Sequence, residues 1–72
     1  MTLIRWLRQF RRSNVMLEER PWGLILTVGV QTWGTGCYFS GCVSWRKEDP
    51  EHGIYLIQRL VAEADHVITN QA

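Results

Sequence analysis

A chain of 72 residues is limited to one small domain. It buries only ~60% of its unfolded surface, so its stability margin is thin and a disulfide, metal or partner subunit commonly adds to it. A hydrophobic fraction of 46% excludes a disordered chain, and a net charge of +1 excludes a strongly polyionic one.

The charge is nevertheless uneven. Arg5, Arg8, Arg11 and Arg12 form a basic head with no acid among them, whereas beyond residue 47 Glu48, Asp49, Glu51, Glu63 and Asp65 meet only Arg59. The first residues do not read as a secretory signal, because Arg5 and Arg8 interrupt the apolar run. The expected compartment is therefore the cytoplasm, with Cys37 and Cys42 as reduced thiols.

The first element is a helix over residues 2–12. Leu3, Leu7 and Phe10 form an apolar stripe, widened by Ile4 and Trp6, with Thr2 as a cap. Arg5, Arg8 and Arg12 repeat at the same spacing one face over, with Arg11 beside them. The ordinary role of such a face is solvation. The alternatives are phosphate neutralisation in nucleic acid, a lipid headgroup layer, or an acidic protein.

Residues 15–20 supply a strand, although Met16, Leu17 and Glu18 also favour helix. Pro21 and Trp22 then make a tight turn with Pro at its second position.

From Pro21 to Trp45 no residue carries a charge. A membrane span needs ~20 predominantly apolar residues. Leu24 to Val30 would begin one, but Gln31, Thr32, Gly34, Thr35, Gly36, Ser40 and Gly41 follow and argue against it. Two strands, residues 23–33 and 36–46, fit better, with Gly34 and Thr35 as a type II′ hairpin loop. The register then sets Trp33 against Gly36, Thr32 against Cys37, Val30 against Phe39, Val28 against Gly41, Leu26 against Val43 and Leu24 against Trp45. A slip of one residue would oppose Phe39 to Gln31 and Val43 to Thr27, so the pattern selects its own register. In the preceding strand Leu17 falls opposite Leu26, and Val15 opposite Val28. The second face gathers Thr27, Gly29, Gln31, Ser40, Cys42 and Ser44 with Ile25 and Tyr38. Its lack of charge predicts that it too is covered, by a helix or by another subunit.

Asp49 followed by Pro50 predicts a helix start, with Glu51 where the helix dipole favours an acid. The helix runs over residues 50–68. Ile54, Ile57, Val61, Ala64 and Ile68, flanked by Leu60 and Val67, should face the sheet. His52, Tyr55, Arg59 and His66 lie on the other side, as a solvated face or a recognition surface.

The order helix, three strands, helix resembles double-stranded RNA-binding domains and small toxins built on the same plan, in element order alone. Those RNA binders place Lys at the start of the second helix, where this chain has Glu48, Asp49 and Glu51. The toxins need a His in the sheet, and none lies there. Neither activity carries over.

Cys37 and Cys42 are an odd number of positions apart, which points them to opposite faces of a strand and argues against a disulfide. With His52 and His66 they lack the paired spacing of a zinc site, and an iron–sulfur cluster needs more cysteines. No nucleophile has a base placed to activate it, and the glycines at 34 and 36 are not followed by a helix as a phosphate loop requires. The expectation is no metal, no cofactor and no enzymatic activity.

The sequence thus predicts an α+β domain, a three-stranded antiparallel meander with a helix before and after it. Its expected function is that of a small accessory or inhibitory protein acting through protein–protein contacts. Four Trp are more than so small an interior readily hides, and exposed strand edges favour a homodimer. The candidate partner-binding residues are Trp6, Trp22, Trp33, Tyr38, Tyr55 and Arg59. The alternatives are nucleic-acid binding through Arg5, Arg8, Arg11 and Arg12, and membrane association.

Overall fold

The computed structural model describes residues 3–34, 36 and 38–70. Its elements are α1 (Leu3–Leu7), β1 (Arg12–Arg20), β2 (Gly23–Gln31), β3 (Tyr38–Trp45) and α2 (Pro50–Asn70). The three strands form one antiparallel sheet in the order β1-β2-β3. This is the expected α+β architecture.

The predicted register holds in both hairpins. Leu24, Leu26, Val28 and Val30 pair with Trp45, Val43, Gly41 and Phe39 on one side, and Val28 and Leu26 pair with Val15 and Leu17 on the other. Alternation of side chains then places the apolar row on a single face. Pro21 and Trp22 make the β1–β2 turn, since Arg20 already pairs with Gly23.

The β2–β3 connection differs from the expected type II′ turn. The described ladder ends at Gln31 with Tyr38, so Trp33 and Gly36 lie outside it. That turn type needs Gly34 at positive φ, but the left-handed glycine is Gly36, at φ 73°. Thr35 and Cys37, which complete the predicted loop and the pair with Thr32, lie outside the described residues.

The first helix is shorter than predicted. It stops at Leu7 and tightens into a turn in which the Gln9 and Phe10 amides donate to the Trp6 and Leu7 carbonyls. Arg12 joins β1 instead and, with Ser13 and Asn14, extends that strand ahead of its predicted start at residue 15, the three pairing with Gln31, Val30 and Gly29. An isolated helix of this length is marginal in water, and a ready-made ladder along β2 offers the same backbone groups better partners.

The second helix begins as expected. Asp49 Oδ1 accepts the His52 amide at 3.2 Å, with Pro50 in the first turn. Its sheet-facing stripe is rotated from the predicted one. Gly53, Leu60 and Ala64 are buried, whereas Ile54 is 57% exposed. The cause is steric. A Cβ at Gly53 would sit 2.6 Å from the Trp45 indole, and one at Gly41 would sit 2.3 Å from Leu60 Cδ1. The helix therefore settles on β3 along these two close approaches.

The core consists of Trp6, Leu7, Leu26, Val28, Val30, Leu60 and Ala64. Both helices share one face of the sheet. Among the described residues no helix is long and apolar enough to cross a membrane.

Candidate binding surface on the open sheet face

Among the described residues no helix lies over the second face of the sheet, contrary to one branch of the expectation. Strand pairing defines its rows: Arg12, Gln31 and Tyr38; Asn14, Gly29 and Ser40; Met16, Thr27 and Cys42; Glu18, Ile25 and Ser44. Every charge on these rows belongs to β1, at its two ends. The β2 and β3 portions, with Asn14 and Met16, form one uncharged field.

Along β3 the alternation is strict. Tyr38, Ser40, Cys42 and Ser44 are exposed, while Phe39, Gly41, Val43 and Trp45 turn toward α2. The same two-residue period that builds the core thus fixes the composition of the open face. Thr27 Oγ1 lies 3.8 Å from Cys42 Sγ, joining β2 and β3 through a weak contact in the middle of the field.

Glycine at position 29 shapes one end. A Cβ there would lie 2.6 Å from Asn14 Oδ1 and 3.1 Å from the Tyr38 hydroxyl, so both side chains lean over the space that glycine leaves. Beside them lies a hollow of about 400 Å³, with Arg12 and Gln31 in its wall. Tyr38 is 61% exposed, and Trp33, in the connection at the same end, is 64% exposed. Trp22 is exposed at the opposite end, in the β1–β2 turn.

The predicted partner-binding residues are not brought together. Tyr38 stands on the open face, with Trp33 and Trp22 at its two ends. Tyr55 and Arg59 lie on the outer side of α2, with the Arg59 guanidinium 5.9 Å from the Tyr55 ring centre and the His52 ring centre 6.3 Å from it. Trp6 is a core residue, 2% exposed, and is withdrawn from any partner. Its indole N–H donates to Asp65 Oδ1 at 2.7 Å, and its ring meets Phe10 edge-on. The helical pattern hid this role, because Trp6 sat at the margin of the predicted stripe.

The four head arginines do not share a helix face. Arg5 is in α1, Arg8 and Arg11 are in the turn that follows, and Arg12 opens β1. Among the described residues no group of three His, Cys, Asp or Glu side chains is placed to hold a metal. At the far end of the sheet Lys47 pairs with Glu19, and that bond holds the Glu19 carboxyl below the usual carboxylate range.

Asn14, Met16 and Ser40 are residues that sequence reasoning did not place in the candidate set, although Ser40 belonged to the uncharged face. Their signal was the strand register. Searches against protein-family models, curated proteins and solved structures find no match to this chain.

Proposed function

We propose that the protein is a non-enzymatic accessory or inhibitory module that binds another protein through the open face of its sheet. The observation that supports this reading is the absence of charge on the β2 and β3 portions of an uncovered face. Removing a charged group from water costs far more than removing a hydroxyl or amide that can be hydrogen-bonded. A surface meant to stay wet gains by carrying charge, and one meant to be dehydrated gains by omitting it. Interface cores show the same bias, with charge depleted and aromatic residues enriched. Tyr38, flanked by Trp33, is the anchor of this surface, and Ser40, Thr27 and Gln31 supply hydrogen-bonding groups.

Affinity capture from the native host at low and high salt tests the proposal. A protein retained at ~1 M salt, where charge interactions are screened within about 3 Å, fits an uncharged interface. Ser40→Lys, which sets a charge in the field at an exposed position, should abolish that retention. Equal retention by the variant contradicts the proposal. Material that is nucleic acid, and that is lost as salt rises, would favour the head arginines instead.

A further inference from the structure

The geometry points to a two-fold symmetric dimer in which β1 pairs antiparallel with β1 of a second copy, centred on Val15. This inference concerns the edge of the sheet and stands apart from whatever the open face binds.

The β1 strand has β2 on one side and, among the described residues, no strand on the other. It is nine residues long and contains no proline. Val15, Met16 and Leu17 in its middle are 45%, 55% and 59% exposed. Edges of this kind are normally blunted by short length, proline or charge, because they template further pairing. Here the strand is long and proline-free, and its charges, Arg12, Glu18, Glu19 and Arg20, flank the apolar centre and leave Val15 to Leu17 without one.

The apolar layer also runs out of cover at this strand. Val15 and Leu17 share the helix-bearing face with Val28 and Leu26, but α2 packs on β3. Ile54, on the α2 flank that the rotated helix leaves uncovered, is 57% exposed, and Ile57 and Val61 border a groove of about 360 Å³ beside α1. A second copy joined at β1 would continue the layer.

Charge selects the second copy as the occupant. The segment reads basic, apolar, acidic: Arg11 and Arg12, then Val15 to Leu17, then Glu18 and Glu19. Antiparallel pairing about Val15 sets Arg12 opposite Glu18 of the second copy and brings Arg11 to the level of Glu19, each twice by symmetry. A parallel arrangement in register would set like charges together, which destabilises a sheet. Glu18 and Glu19 already hold Arg20 and Lys47, but these pairs are exposed, and exposed pairs are cheaply shared. The other edge, β3, carries no charge and offers no such complement.

Light scattering across a concentration series, supported by cross-linking, tests the dimer on the purified chain alone, so its outcome is independent of partner capture. The expected mass is twice the 8.4 kDa of one chain. Val15→Lys should return it to the single-chain mass with an unchanged circular dichroism spectrum. In a Cys37→Ser, Cys42→Ser background, Val15→Cys should form an intermolecular disulfide on oxidation, because directly opposed Cα atoms lie ~4.5–5.5 Å apart. Leu17→Cys, opposite Ser13 in this register, should cross-link far less. A single-chain mass at the highest concentration, a dimer that survives Val15→Lys, or a dimer in which Val15→Cys does not cross-link would each overturn the inference. Should Val15→Lys fail to fold, the cysteine pair decides.

Discussion

Trp6 and Asp65 show what a single residue contributes in a domain this small. Trp6 is the largest fully buried side chain, and its indole N–H finds its acceptor on the other helix. Truncating a buried Trp costs about 3–5 kcal/mol, against a total of about 5–15 kcal/mol for a typical domain. Trp6→Ala should therefore consume a large share of the stability in a urea titration. Asp65→Ala, which leaves the indole without its partner, should cost about 1–3 kcal/mol, and Asp65→Asn less, since the amide oxygen can still accept. Glu19 supplies a pH-dependent counterpart. The Lys47 hydrogen bond lowers its carboxyl pKa in the folded state. A group depressed on folding binds its proton more readily in the unfolded chain, so its contribution is present at neutral pH and fades as pH falls through and below the ordinary glutamate range. Glu19→Gln should be slightly less stable than the parent near neutrality, and the two should converge in acid. Both groups are exposed, so the difference should be small.

At the scale of elements, the β-strands were legible because a period of two, read against hairpin turns, admits one register. Leu17 opposite Leu26 and Val28 opposite Gly41 follow from that constraint alone. The helices were less legible, because periodicity gives a stripe but not the rotation of that stripe on its support. Gly53 and Gly41 set the rotation here, and a contact between a glycine and a distant side chain has no signature along the chain. A mutation exposes the difference. Alanine for glycine inside a helix ordinarily stabilises by about 1 kcal/mol. Gly53→Ala should instead destabilise, because the added Cβ meets the Trp45 indole. A gain in melting temperature would refute this account of how α2 is seated. The end of α1 was illegible for a different reason: residues 8–12 suit a helix locally, and only the edge of β2 draws Arg12 into the sheet.

On the scale of the whole molecule, the two helices gather on one face and leave the other open. The candidate site was partly legible from this asymmetry, since the uncharged field appears in the sequence as soon as the register is known. The sequence did not reveal that Trp6 belongs to the core, or that Tyr55 and Arg59 lie on the far side of α2 from Tyr38. Separate surfaces predict separable effects. Trp22→Ala and Trp33→Ala should retain the parent's melting temperature, because both side chains are more than half exposed. Trp33→Ala should weaken partner capture more than Tyr55→Ala does, because Trp33 lies in the connection at the Tyr38 end of the sheet, whereas Tyr55 lies on α2. If every variant that loses binding also loses its fold, the binding surface lies elsewhere.

Cys42 lies at the centre of that face and is an exposed free thiol. In a Cys37→Ser background its alkylation rate reports directly on whether the face is covered, and a β1-edge dimer would leave it accessible. The decisive measurement compares that rate in the free chain and in the complex recovered at high salt. The proposed mode of binding predicts rapid labelling of the free chain and strong protection in the complex. Equal rates in the two states would contradict it.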